Sequence, residues 1–184
     1  GIVGLLDPGC SRSGEELQPA IEIMRDSLRH RGPDDAGTWM DVGAGIALGH
    51  RRLSIIDLSA EGHQPMVSAD NRFVISFNGE IYNFQTLRKE LQSLGCSFKS
   101  QSDTEVIIHA YAKWGIDAIQ RFNGMFAFAL YDTTKNIIFM ARDRAGEKPL
   151  FYGNFGKSFY FASELTALMA GYEDLRKINK KALN

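Results

Sequence analysis

The stretch that decides the fold is Phe73-Val74-Ile75-Ser76-Phe77-Asn78-Gly79-Glu80-Ile81-Tyr82-Asn83. A run of mainly β-branched and aromatic residues is followed at once by an amide, a glycine and an acid. This order predicts a buried strand that ends at Phe77 in an Asn78-Gly79 turn. The Asn78 side chain and the Gly79 N–H, fixed side by side, would also form a pair of donors suited to an oxyanion. Because Asn-Gly is foremost a turn signal, both interpretations stay open at this point.

The composition limits the class of protein. The chain has 184 residues, of which 44% are hydrophobic, and this suits one domain with its own core. Lys and Arg number 21 against 22 Asp and Glu, so no basic field predicts binding to nucleic acid or to an anionic membrane. The longest apolar run, Met125 to Tyr131, is too short for a bilayer, and no leader opens the chain. We therefore expect a cytoplasmic protein.

Hydrophobic periodicity predicts about seven strands and three or four helices. Strands are expected at 1–6, 44–48, 73–77, 125–131, 137–141, 150–152 and 159–162. Helical spacing occurs at Leu17, Ile21, Met24 and Leu28, at Leu87, Leu91 and Leu94 before Gly95, and after the capping-box pattern Ser102-Asp103-Thr104-Glu105. Helices concentrate in the first two-thirds while the last strands form a meander. This order favours antiparallel sheets covered by helices, a layered α/β sandwich of the α+β type.

Two further segments are predicted to lack regular structure. Residues 30–37 contain too much Gly, Pro and charge for a helix or strand, so we expect a surface loop there. Residues 171–184 lose the apolar period and gain lysines, which predicts a domain over 1–170 followed by a tail or the start of a linker. Asn123-Gly124 is interpreted as a turn, and His50 and His63 as packing or hydrogen-bonding residues.

Four polar groups stand out as candidates for a site: Arg52, the Asn78-Gly79 pair, Glu80 and Asp103. Each has a structural explanation, since Arg52 can lie on the surface, Asp103 can favour a helix start and Glu80 can be solvated. Together they offer a guanidinium for a carboxylate, two acids for an ammonium and two donors for an oxyanion. This set matches an amino acid whose side-chain carbonyl is under attack.

The sequence offers no internal nucleophile for such a reaction. Cys10 and Cys96 lack a neighbouring base, and Ser54 lacks a nucleophile-elbow context. The two cysteines form no Cys-x-x-Cys pair, and with four histidines they argue against a disulfide framework or a metal site. Both cysteines are expected to be free thiols.

Several motifs nevertheless occur in an order that resembles one known family, the glutaminase domain of class II glutamine amidotransferases of the asparagine synthetase type. The motifs are Gly1-Ile2-Val3-Gly4, Arg29-His30-Arg31-Gly32-Pro33-Asp34, His50-Arg51-Arg52-Leu53-Ser54-Ile55-Ile56-Asp57, Asn78-Gly79-Glu80-Ile81-Tyr82-Asn83, Ser102-Asp103-Thr104-Glu105, Phe122-Asn123-Gly124-Met125-Phe126-Ala127, Arg142-Asp143-Arg144, Lys148-Pro149-Leu150 and Ala162-Ser163-Glu164. The similarity covers nearly the whole chain.

The resemblance implies an N-terminal-nucleophile hydrolase-like fold, a four-layer αββα sandwich with two antiparallel sheets. It also implies a nucleophilic cysteine immediately before Gly1, whose free α-amino group accepts the thiol proton. No such cysteine is in the sequence, so we expect the chain as it stands to be inactive. By resemblance, the Asn78 amide and Gly79 N–H form the oxyanion hole. Arg52 holds the glutamine α-carboxylate, Asp103 the α-ammonium, and Glu80 is a further binding residue. His30, Arg31 and Asp34 are expected to order a loop over the pocket.

The implied activity is the hydrolysis of L-glutamine, with the ammonia passed to an ATP-dependent synthetase domain or subunit in asparagine biosynthesis. No Ser-Gly-Gly-x-Asp-Ser nucleotide loop is present, so ATP and magnesium are expected only in that missing part, and no cofactor in this domain. No nucleic acid or membrane partner is expected, and the resemblance leaves room for a homodimer. Two alternatives remain: a non-catalytic domain that binds glutamine or a partner, or a glutaminase that supplies a different acceptor.

Overall fold

The computed structural model describes residues 1–53, 62–172 and 175, and two antiparallel sheets lie face to face within them. Sheet A has five strands in the spatial order β2 (Asp35–Asp41), β3 (Ile46–Arg52), β1 (Ile2–Leu6), β9 (Ser158–Ala162) and β8 (Phe151–Phe155). Sheet B has four strands in the order β4 (Met66–Val67), β5 (Phe73–Ile81), β6 (Gly124–Asp132) and β7 (Ile137–Arg142). The amino-terminal strand β1 is therefore central in sheet A, between β3 and β9.

Helices cover the outer face of each sheet. Sheet A carries α1 (Gly14–Asp26) and α4 (Leu165–Gly171), and sheet B carries α2 (Phe84–Ser93) and α3 (Asp103–Trp114). Short 3₁₀ turns follow α1 at Arg29–Arg31 and α3 at Gly115–Arg121. No helix in the ranges described has both the length and the apolar character needed to cross a bilayer.

Alternation along the strands divides the buried side chains into three clusters, one between each pair of layers. In β1, Ile2 faces sheet B while Val3 and Leu5 face α1. In β5, Val74 faces sheet A while Ile75 and Phe77 face α2 and α3. The layers are thus helix, sheet, sheet, helix. The predicted α+β fold, a four-layer αββα sandwich with two antiparallel sheets, is confirmed.

Several local predictions were wrong. The central strand does not end at Phe77 in a turn: β5 continues through Asn78 and Gly79 to Ile81, paired throughout with β6. The strand expected at 44–48 lies at Ile46–Arg52, and β2 begins inside the predicted loop at Asp35. Sequence periodicity missed β2 and the two-residue β4, so the described residues contain nine strands rather than about seven. β4 is too short to produce a pattern.

The start of α3 was predicted correctly, although its cap is only partly of the expected type. The Ser102 hydroxyl accepts the Thr104 N–H at 3.0 Å, as a cap residue should. The Glu105 carboxylate instead accepts the Lys99 and Ser100 N–H groups, each at 2.8 Å, so the reciprocal half of the capping box is absent. Gly171 ends α4, while 173–174 and 176–184 lie outside the described residues. The predicted tail therefore stays a prediction, as does everything inferred for Ser54-Ile55-Ile56-Asp57.

Candidate active site

A cavity of about 250 Å³ lies where β3, β5 and the start of α3 meet. Its wall contains every site residue predicted from the sequence: Arg52, Asn78, Gly79, Glu80 and Asp103. Residues that are distant in the chain thus converge on one space. The same wall includes several residues that sequence reasoning did not assign to a site: Arg31, His50, Gln64, Thr104 and Lys148.

Asn78 reaches the cavity because of strand alternation. The side chains of Val74 and Ser76 face sheet A, and the Ser76 hydroxyl donates to the Gly49 carbonyl at 3.0 Å. Asn78 is the next residue on that face, at the point where the space between the sheets opens into the cavity. Its Nδ2 is buried and has no hydrogen-bond partner among the described residues. A buried donor without a partner is costly, so this amide is poised for an acceptor that enters the cavity.

Gly79 supplies a second donor beside Asn78. In this part of β5, the edge opposite β6 is bound by side chains: the Phe77 N–H donates to Gln64 Oε1 at 2.6 Å and the Ile81 N–H to Asp103 Oδ2 at 3.0 Å. Because N–H directions alternate along a strand, the Gly79 N–H lies on the same edge, between those two. A Cβ at Gly79 would lie 2.1 Å from the Met125 carbonyl oxygen, so the close approach to β6 requires glycine.

Asp103 is a buried carboxyl with a strongly perturbed pKa. It is the first residue of α3 and only 5% exposed. Burial raises the pKa of Asp103 from 3.8 to about 6, backbone N–H groups such as that of Ile81 oppose the rise, and the charge of Glu80 adds to it. Two acidic side chains therefore face one small cavity. An incoming cation such as an ammonium group would relieve their mutual repulsion.

Arg52 lines the same cavity and is the last residue of β3. Gly62 lies directly against its guanidinium, since a Cβ at Gly62 would be 2.0 Å from Arg52 Nη2. The space available to the guanidinium is therefore limited on that side. Arg52, Asp103 and Glu80 thus give one cavity groups of both charges, as a zwitterionic amino acid requires.

Gly1, the residue before β1, lies close to the same wall. Gly1 and Arg51 form a hydrogen-bonded pair, with the Gly1 nitrogen 2.6 Å from the Arg51 carbonyl oxygen and the Arg51 nitrogen 2.8 Å from the Gly1 oxygen. Ile2 is opposite His50 in the same register. A Cβ at Gly1 would meet Leu28 at 3.1 Å, so that position faces the helical layer. Arg31, which also lines the cavity, is ion-paired with Glu164 at 2.9 Å.

The histidines and cysteines behave as the sequence predicted. His50 Nε2 is 2.9 Å from the Phe77 carbonyl oxygen and His63 Nδ1 is 2.7 Å from Asp35 Oδ2, so both rings make hydrogen bonds. Cys10 is an exposed free thiol and Cys96 a partly buried one. Neither is among the residues that line the cavity. Across the described ranges, no group of three or more His, Cys, Asp or Glu residues could hold a metal ion.

Two contributors to the wall could not have been assigned from the sequence, and a third carried only a weak signal. Gln64 comes from a Gly- and Pro-containing loop without a recognisable pattern, and its contact to Phe77 is formed only in the tertiary structure. Lys148 is delivered by the loop after β7, where Asp143 accepts the Glu147 and Lys148 N–H groups at 2.9 and 3.0 Å. For His50 a weak signal exists, because it precedes Arg52 by two residues and so shares its face of β3.

Comparison with known proteins agrees with this geometry. A family model described as a glutamine amidotransferase domain matches residues 1–184. The glutamine-hydrolysing asparagine synthetase 3 of Bacillus subtilis is 38% identical over 186 residues, covering 100% of this chain and 30% of that protein. A putative glutamine-hydrolysing asparagine synthetase 2 of Methanocaldococcus jannaschii is 39% identical, covering 94% and 36% respectively. The chain thus spans about a third of the length of these curated relatives.

Solved structures support the fold. The glutamine phosphoribosylpyrophosphate amidotransferase of B. subtilis, complexed with ADP and GMP, superposes with a TM-score of 0.75 at 23% identity, covering 92% of this chain and 43% of that one. At this identity the match establishes the fold alone. With the family model matched over its whole length and curated relatives well above 30% identity, the chain belongs to the glutamine amidotransferase domain family.

Proposed function

We propose that this chain is the glutaminase portion of a glutamine-dependent amidotransferase of the asparagine synthetase type, which converts L-glutamine and water into L-glutamate and ammonia. The observation that carries the proposal is the Asn78 amide, a buried donor without a partner among the described residues, beside the Gly79 N–H in a cavity whose wall also contains Arg52, Glu80 and Asp103. This is the arrangement needed to bind an amino acid and to stabilise an oxyanion at its side chain.

The nucleophile is a cysteine immediately before Gly1, and the register of sheet A supports this position. Because Gly1 faces the helical layer, a residue before it faces sheet B, on the side of Ile2 and opposite Arg52. The cavity that contains Asn78 and Gly79 is also lined by His50 and Arg52 of β3, the strand that pairs with β1. A thiol at this point would reach a carbonyl carbon whose oxygen lies between the two donors.

Substrate recognition follows from the charges. Arg52 binds the α-carboxylate through two parallel N–H donors, and Asp103 with Glu80 binds the α-ammonium. The carboxamide is thereby directed towards Asn78 and Gly79. Binding and catalysis are separated in space, so loss of a charged residue should weaken binding, while loss of a donor should slow the chemical step.

The chemistry proceeds in two stages. The cysteine's own α-amino group, with an ordinary pKa of about 8, takes the thiol proton, and the sulfur attacks the carboxamide carbon. The C–N bond breaks, ammonia leaves with the transferred proton, and a glutamyl thioester remains. Water then attacks the thioester and releases glutamate, restoring the thiol. Both tetrahedral intermediates place an oxyanion against Asn78 Nδ2 and the Gly79 N–H. These steps need no cofactor in this domain.

The ammonia passes to an ATP-dependent synthetase part of the same protein or to a partner subunit. Curated relatives of about three times this length are named glutamine-hydrolysing asparagine synthetases, which supports aspartate as the acceptor. We propose that ATP and magnesium bind in the other part. We propose a cytoplasmic protein in which residues 1–170 form the glutaminase domain and 171–184 begin the connection.

The test is the release of glutamate from glutamine by the full-length protein, with and without ATP and aspartate. We expect glutamate and ammonia in equal amounts, loss of both when the cysteine before Gly1 is replaced by serine, and asparagine when ATP, magnesium and aspartate are added. Glutamine binding without glutamate would instead indicate a non-catalytic domain. Glutamate release together with amidation of another acceptor would keep the glutaminase assignment and reject aspartate.

A further inference from the structure

The Phe77 peptide groups, just before the two donors, are held by buried side chains. β4 pairs only with Val74 and Ile75, so beside Phe77 the edge of β5 opposite β6 has no neighbouring strand among the described residues. His50 Nε2 lies 2.9 Å from the Phe77 carbonyl oxygen, and Gln64 Oε1 lies 2.6 Å from the Phe77 nitrogen. Side chains therefore replace the missing strand at this position.

The two side chains come from different layers. His50 is on β3 of sheet A and 4% exposed, and Gln64 is 7% exposed and donates through Nε2 to Thr104 Oγ1 of α3 at 3.4 Å. One residue of β5, Phe77, is thus tied to sheet A through its carbonyl and to the α3 layer through its N–H, which belong to two successive peptide groups. Two tethers in different directions fix a strand segment more tightly than either alone.

The protonation state of His50 follows from its partner. A carbonyl oxygen only accepts, so Nε2 carries the hydrogen, and in the neutral ring Nδ1 is then an acceptor. Nδ1 is buried without a partner among the described residues. Burial lowers the pKa of His50 well below 6.5, and nearby positive charge, including Arg52 and His63, lowers it further. Both observations favour the neutral ring, which can donate its Nε2–H to the Phe77 carbonyl oxygen.

We propose that His50 and Gln64 are positioning residues. They hold the carbonyl and the N–H of Phe77 and thereby fix the positions of the Asn78 and Gly79 donors before substrate arrives. The proposal rests on the proposed glutaminase function, which it deepens: the hole is preformed, and His50 acts through geometry rather than by carrying a proton. Preorganised donors avoid reorganisation in the transition state, and a displacement of about 1 Å typically costs about 10²-fold in rate.

The chain provides a matched control for His50. Ser76 Oγ donates to the Gly49 carbonyl oxygen at 3.0 Å, and this bond joins the same two strands one residue earlier on each. Ser76 is fully buried but does not line the cavity. His50→Phe and Ser76→Ala therefore each remove one buried hydrogen bond between β3 and β5, and only the first removes a tether next to the donors. His50→Gln keeps an amide N–H for the Phe77 carbonyl.

The experiment uses the full-length protein and measures glutaminase kcat and KM, thermal midpoint, and hydrogen exchange of the peptide that covers β5. For His50→Phe we expect kcat to fall about 10–100-fold with KM within about 3-fold, and exchange at residues 77–81 to rise. His50→Gln should recover most of kcat and keep the wild-type pH profile. Ser76→Ala should lower the thermal midpoint by a similar amount while kcat stays within about 2-fold. Gln64→Met should reproduce the His50→Phe pattern.

Each possible result of these measurements either supports the positioning role of His50 and Gln64 or overturns it. Wild-type kcat in His50→Phe, an equal loss of kcat in Ser76→Ala, or a loss expressed only in KM would overturn the proposal. A His50→Gln variant that folds normally, stays inactive and loses one limb of the pH profile would make His50 a proton carrier instead. If the wild type releases no glutamate, the proposed function fails by itself. The exchange data then still decide whether His50, and not Ser76, orders residues 77–81.

Discussion

Replacing Asp103 with asparagine should make the protein more stable at pH 7 and poorer at binding glutamine. Burial raises the pKa of this carboxyl from 3.8 to about 6, so the fold disfavours its charge. A carboxyl whose pKa is higher in the folded state binds its proton more tightly there. The free energy of unfolding therefore falls as the pH rises from about 4 to about 6 and stays lower above that range. A pKa change of about two corresponds to about 3 kcal/mol.

The asparagine variant avoids this cost and keeps the main contact. Its amide oxygen can still accept the Ile81 N–H, which lies 3.0 Å from Oδ2 in the native protein. We expect urea titrations at pH 7 to show a free energy of unfolding about 1–3 kcal/mol above that of the wild type, and no gain below about pH 4. Because the α-ammonium loses a charged partner, kcat/KM for glutamine should fall about 10–100-fold.

The pH dependence of activity gives a second readout. Between pH 7 and pH 5, protonation of Asp103 should lower the wild-type kcat/KM about tenfold, and the variant should lack this contribution. Asp143→Asn is the matched control. Burial raises the pKa of Asp143, but backbone N–H groups, including those of Lys148 and Phe126, outweigh burial and hold the pKa below its ordinary value. Its loss should reduce stability at pH 7. A less stable Asp103→Asn protein at pH 7, or a flat wild-type profile from pH 5 to 7, would refute the reasoning.

Two further substitutions probe the site. Asn78→Ala should lower glutaminase kcat about 10²–10³-fold with little change in KM. Asn123→Ala, in the second Asn-Gly dipeptide and outside the cavity, should keep the wild-type rate. Equal effects of the two substitutions would remove the oxyanion assignment. Gly62→Ala should raise KM for glutamine several-fold at nearly constant kcat, because its Cβ would displace the Arg52 guanidinium. Gly9→Ala, which has open space around its Cβ, should have wild-type kinetics. An unchanged KM in Gly62→Ala would argue against Arg52 as the carboxylate-binding group.

The sequence was sufficient to predict the layers and to single out five residues that line one cavity, and the reasons are local. Alternation in β5 and helical spacing in α3 place Asn78 and Asp103 on buried elements that end near each other. The Asn78-Gly79 turn was predicted wrongly because this dipeptide usually marks a turn. Here the strand continues, since Gln64 and Asp103 side chains satisfy the β5 edge that a neighbouring strand would otherwise occupy.

The supporting contacts could not be predicted, because each joins segments whose separation in the sequence carries no signal. His50 meets the Phe77 carbonyl across two sheets, and the two residues are 27 positions apart. Gln64 meets the Phe77 N–H from a loop that has neither helical nor strand periodicity. The charge state of Asp103 depends on burial in the folded protein, which composition cannot supply. Residue types therefore singled out the groups that line the cavity better than the contacts that hold the backbone beside them.

The most direct test of the account is to locate the nucleophile. The full-length protein should be treated with an electrophilic ketone analogue of glutamine, and the site of modification mapped by mass spectrometry with and without excess glutamine. We predict a single adduct on a cysteine immediately before Gly1, suppressed by glutamine. Modification of Cys10 or Cys96 instead, or a native protein in which no cysteine precedes Gly1, would contradict the central claim.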